Sequence, residues 1–161
     1  MSIYMKIATL NGGVTDSQYQ GAIALQDFRF GGITNHVESG LGKENDRINT
    51  APSIKQIWIS KQSDASSIDL FQATHQGRVF KTVEIDFVST GKIPFMYEKI
   101  KLSNVIIGHF SVEHDETAQA PMEFMSLAYT SIERTYVPRD RENKAGSPVT
   151  SGYDIAKVTS L

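Results

Sequence analysis

Apolar side chains recur along most of the chain at every second position, in short runs that end at glycine, proline, asparagine or serine. That period is the mark of strands joined by turns. Ile3 to Leu10 is rich in β-formers and stops at Asn11-Gly12-Gly13, a strong turn signal. The polar stretch VTDSQYQG leads into a strand over Ala22 to Phe30. Within it Ile23 and Leu25 share one parity while Phe28 and Phe30 share the other. One face can hold both pairs only if an extra residue intervenes, so a β-bulge is expected near Gln26-Asp27. Met122 to Val137 repeats the conflict. Met125, Leu127 and Tyr129 oppose Ile132, Arg134 and Tyr136, and a second bulge is expected near Thr130-Ser131.

The other strands read more simply. Ser53 to Ser60 is apolar on both faces near its end, at Ile57, Trp58 and Ile59. Val79, Val83, Ile85 and Phe87 alternate with Lys81, Glu84 and Asp86, with Phe80 as an exception. Phe95 to Val112 gives one or two strands, broken near Leu102-Ser103-Asn104 or at Gly108. Pro138 ends pairing by removing a donor, and Gly152 to Val158 is a candidate final strand. One helix is predicted after Ser66 or Ser67, with Asp69 in its first turn and Gly77 at its end. Ile68 and Phe71, with Leu70 and Thr74, are the expected inward stripe. The fold class that follows is mainly β: a small β-barrel or sandwich with one helix on its flank, in a single domain over residues 1–161.

Gly31 to Thr50 breaks the pattern. It is a long, glycine-rich, polar stretch, and a loop of that length in a compact domain is usually functional or disordered. It is a first functional candidate.

Composition narrows the function classes. The chain has 161 residues and no cysteine, which excludes a disulfide scaffold, a thiolate zinc site and a cysteine nucleophile. Sixteen basic and 18 acidic side chains give a formal charge of −2, with no basic face for nucleic acid. The start MSIYMKIATL lacks the basic and apolar regions of a cleaved signal peptide, and no apolar run reaches the roughly 20 residues of a membrane span. The expectation is a chain made soluble in the cytoplasm, without membrane insertion, which leaves the cell only by a route independent of a cleaved signal.

No catalytic constellation emerges. There is no G-x-S-x-G elbow, no Walker A loop and no dinucleotide fingerprint. Gly40-Leu41-Gly42-Lys43 is followed by Glu44 where a P-loop needs Ser or Thr. His109 and His114, five residues apart, point to opposite faces of a strand, so no metal site is expected. The expectation is no enzyme activity and no cofactor. A secreted β-barrel binding module of lectin-like type, and an enzyme whose paired carboxylates the sequence hides, are the readings from other classes.

A collinear set of residues points further. GGVTDSQYQGAIALQDFRFG resembles the N-terminal signature of the Hcp family, the tube subunit of the bacterial type VI secretion system, at Gly12, Asp16, Ile23, Phe28, Phe30 and Gly31. KQSDASSIDLFQATHQGRVFKTVEIDF is similar to that family's strand–helix–strand unit at Lys61, Asp64, Ser66, Leu70, Ala73 and Gly77. Leu127, Tyr129, Ile132, Tyr136 and Pro138 match its long strand. Ala145-Gly146 and Gly152-Tyr153-Asp154-Ile155 match its tail. The chain departs from the pattern at Gly13-Val14, at Tyr19 and at Tyr153.

The resemblance implies a phage tail-tube-like barrel of two sheets. It implies a homohexameric ring, and rings that stack into a tube expelled by a contractile sheath behind a spike, with small effectors carried in the lumen. A phage-type tail-tube protein is the nearest alternative. Two site expectations follow. Glu38, Lys43, Glu44, Asp46 and Arg47 in the long loop form a polar ring-stacking contact. Arg29, turned away from Phe28 and Phe30, faces the lumen, unless it lies on the outer surface or pairs with a neighbour such as Glu84 or Asp86.

Overall fold

A computed structural model describes residues 1–37, 51–91, 94–114 and 116–161. The described strands are β1 (Ser2–Ile7), β2 (Ile23–Leu25), β3 (Asp27–Phe30), β4 (Ile33–Thr34), β5 (Ser53–Ile54), β6 (Ile57–Gln62), β7 (Phe80–Ser89), β8 (Phe95–Glu113), β9 (Met122–Ala128), β10 (Ser131–Tyr136), β11 (Val149–Asp154) and β12 (Thr159–Ser160). Among the described residues a single helix, α1 (Ser67–Gln76), lies between β6 and β7.

Two antiparallel layers enclose the core. One runs β12-β11-β10-β8-β7-β1-β2 and the other β3-β6-β9-β8. The path closes into a barrel because β2 and β3 are consecutive and diverge at Gln26, whose amide donates to the Ser60 carbonyl at 2.8 Å. Ile23, Ile57, Leu70, Val83, Ile85, Leu102 and Met125 fill the interior with almost no exposure.

Both parity conflicts mark real discontinuities, and they are larger than bulges. At Gln26 the chain leaves the first layer for the second, so Ile23 and Leu25 enter the core from one sheet and Phe28 and Phe30 from the other. At Tyr129-Thr130 it crosses back, from β9 to β10. The Tyr129 hydroxyl donates to the Lys55 carbonyl at 2.7 Å, and burial pushes its pKa up to about 12. Phe95 to Val112 is not broken in two. It lies within one 19-residue strand, and the suspected interruptions are where that strand turns from layer to layer. Asn104 takes φ +50°, and the register shifts between Ile107 and His109.

Three sequence expectations are corrected. The buried stripe of α1 is Ser67, Leu70 and Ala73, while Ile68 and Phe71 point outward. Two small residues, Ser67 and Ala73, flank Leu70 on that buried face. Phe80, the apparent exception, is core, and Val79 is exposed. The final strand begins at Val149, three residues earlier than expected. Gly77 ends α1 in the left-handed region at φ +61°, as its position suggested.

Gly12 marks the closest backbone approach. A Cβ there would stand 2.2 Å from the Ala22 carbonyl oxygen. The connection it opens is held to the first layer by Tyr19, which stacks on Tyr4 at 4.5 Å with the Lys6 ammonium 4.4 Å from its ring. The long stretch after Gly31 is not wholly irregular, since Ile33–Thr34 pairs with Ser53–Ile54. Glu38, Lys43, Glu44, Asp46 and Arg47 lie outside the described residues.

Candidate functional site

Side chains alternate across the second layer. Phe28, Ile59, Met125 and Phe110 lie in register on its core face. On the next register position outward come Arg29, Trp58, Ser126 and His109, which share the outer face. Trp58 therefore does not crowd the core with Ile57 and Ile59; it is 43% exposed. Its ring lies 5.5 Å from that of His109, and Ser126, between them in the sheet, is buried. The bulge at Gly108 permits this. A Cβ on Gly108 would stand 3.1 Å from the Ser126 hydroxyl.

Arg29 is exposed and has no ion pair among the described residues. Glu84 and Asp86 take other partners on the first layer. Lys99 reaches Glu84 at 3.0 Å and Asp86 at 3.6 Å, and Lys6 reaches Asp86 at 3.4 Å. Arg29 thus stands on the outer wall of the second layer beside an aromatic ring. His109 and His114 gather no further ligands, and among the described residues no three His, Asp or Glu side chains converge to hold a metal ion.

Both edges of the second layer are unpaired among the described residues. β3 pairs only with β6, and residues 106–113 of β8 pair only with β9. α1 packs on β8 beside the second of these edges, with the Phe71 and Phe110 rings 5.8 Å apart. Beside the first edge opens a cavity of about 530 Å³, lined by Phe28, Phe30, Ile33, Ile100, Ile132 and Tyr153. Arg134, also on its lining, is ion-paired with Glu98.

One polar cluster was missed in the sequence. Lys61 has no exposed surface, yet its ammonium donates to Glu123 Oε2 at 2.8 Å, to the Gln62 carbonyl at 2.9 Å and to Ser67 Oγ at 3.1 Å. It also pairs with Asp64 at 3.0 Å, and Ser63 donates to the other Glu123 oxygen at 2.9 Å. Burial opposes ionisation of Asp64, but hydrogen bonds from Ser66 and Lys61 outweigh it and hold the carboxyl below its ordinary range. The cluster ties the start of α1 to β6 and β9. The available signal was parity: Lys61 shares the core face with Ile57 and Ile59, and Glu123 with Met125 and Leu127.

Comparison with known proteins places this geometry. A family model described as "Type VI secretion system effector, Hcp" matches residues 4–136. The structure is similar to that of a solved type six secretion system protein, with a TM-score of 0.92 and 22% identity over 99% of each chain. It is similar also to Hcp1 from Salmonella typhimurium, with a TM-score of 0.81 and 19% identity over 99% of this chain and 98% of that one. For the secreted protein Hcp3 from Pseudomonas aeruginosa the TM-score is 0.65, at 19% identity over 95% and 97%. At such identities the likeness is one of fold. No curated protein matches the sequence.

Proposed function

The chain belongs to the Hcp family of type VI secretion system effectors, and from that premise we propose that it is a structural tube subunit that closes into hexameric rings. The observation that carries this reading is the second layer, whose two edges, on opposite flanks, are unpaired among the described residues. A sheet open at both ends pairs with copies of itself, edge to edge, and a head-to-tail contact of that kind closes into a ring when the rotation fits. The inner wall of such a ring is a continuous sheet.

The outer face of that layer then becomes the channel wall, with Arg29, Trp58 and His109 repeated around it. An unpaired guanidinium repeated around a narrow bore focuses positive potential on acidic effectors. Ring-to-ring contact is assigned to Glu38, Lys43, Glu44, Asp46 and Arg47, whose mixed charges suit a reversible polar contact. The tube would form in the cytoplasm and leave without a cleaved signal, with sheath and spike as its partners.

The test is particle mass and shape. Sedimentation and negative-stain microscopy should give rings with a central hole, at roughly six times the 17.8 kDa chain mass. A species of 17.8 kDa alone at micromolar concentration overturns the reading.

A further inference from the structure

The apolar flank of α1 is only partly covered among the described residues, where the Phe71 ring leans on Phe110 at 5.8 Å. Ile68 is 76% exposed and Phe71 is 54% exposed, one helical turn apart on one face. Large apolar groups placed together on a surface mark a contact. At the far flank of the same layer lies the opposite feature, the apolar cavity under Phe28 and Phe30. We infer that each subunit seats Ile68 and Phe71 of α1 in the cavity beside β3 of a second copy of this chain. This rests on the ring reading and specifies the contact that closes it.

The register of the second layer supports the match. Its core-face row runs Phe28, Ile59, Met125, Phe110. Phe71 extends that row past the free edge of β8, because its ring packs on Phe110. The cavity begins where the row begins, at Phe28. Pairing the β8 edge of one copy with the β3 edge of the next brings Phe71 to the neighbour's Phe28 and makes the apolar row continuous around the ring. Each copy supplies what the next lacks, so the cavity is complete only with its neighbour.

Because the chain has no cysteine, introduced pairs report only on the designed contact. A disulfide forms only where Cα atoms come within about 7 Å. Phe71→Cys with Ser151→Cys, and Ile68→Cys with Ser160→Cys, place one thiol on α1 and one at the cavity lining. Oxidised rings should give a ladder of covalent multimers from at least one pair and none from the single variants. Phe71→Asp should yield a folded monomer with unchanged far-ultraviolet dichroism, since the residue is already half exposed in the isolated chain. Intact rings that cross-link with neither pair overturn the inference while the ring reading stands. Rings that assemble normally with Phe71→Asp leave the cavity to a different partner and also overturn it. A wild-type chain that stays monomeric sinks both.

Discussion

Lys61 and Glu123 face each other across β6 and β9, ammonium 2.8 Å from carboxylate, with at most 4% of either side chain exposed. The pair is sealed inside the barrel, and neither charge has water to fall back on. Removing Lys61 leaves the Glu123 carboxylate buried with no opposite charge and only the Ser63 hydroxyl as a donor. Lys61→Ala should therefore cost about 3–5 kcal/mol of stability in urea unfolding. The paired replacement Lys61→Met with Glu123→Leu should cost much less. Equal losses for the two variants would show that the ion pair contributes little beyond packing.

Asp64 gives that cluster its dependence on acid. Its folded pKa lies below the unfolded value of about 3.9. The stability it supplies is present in full above that value and is lost as pH falls through the lower, folded one. Urea midpoints should drop on acidification below about pH 4. Asp64→Asn should be less stable at neutral pH and should flatten that drop. A variant with the wild-type acid slope would assign the effect to other carboxylates.

At Gly12 no side chain has room. Gly12→Ala forces the Ala22 strand entry away, an overpacking cost of about 1–3 kcal/mol. In a chain of this length each kcal/mol lowers Tm by about 2–4 °C. A melting curve that overlays the wild type would mean the turn yields freely.

Arg29→Glu should leave rings intact, because exposed like charges around a wet bore are screened by salt. It should weaken retention of acidic cargo, and wild-type retention should fall as salt rises. Cargo held equally by the variant, or held independently of salt, removes Arg29 from the channel wall.

Trp58 is the only tryptophan, so its fluorescence reports on one surface. On a channel wall it stays open to small solutes. Acrylamide should quench it to a similar extent in the ring and in the Phe71→Asp monomer. A several-fold loss of quenching on assembly would place it in a subunit contact instead.

Much of the fold was legible because a parity conflict is a local signal with a global cause. Ile23 and Leu25 against Phe28 and Phe30 report a change of sheet, which needs no knowledge of the partner strands. The sequence does not distinguish such a corner from a bulge, since both shift parity by one. The face of α1 was misread for a different reason. Periodicity weighs side chains by size, and here the large ones, Ile68 and Phe71, lie outside while Ser67 and Ala73 lie inside. Alternation did set Trp58 on the face opposite Ile57 and Ile59, but it does not say which of the two faces is the interior. The Lys61 cluster depends on a carboxylate 62 positions away, a separation no local pattern spans.

β8 belongs to both layers, pairing with β7 and β10 along its first half and with β9 along its second. Neither layer can peel from the other without breaking hydrogen bonds of the strand they share. Opening one layer of the described barrel against the other then means losing the whole barrel at once. The β8 amide protons that are bonded to β7 or β10 would exchange with solvent only through that global event. A ring built of such units transmits an axial push through its walls as a stiff collar does, with compliance left to the contacts between subunits.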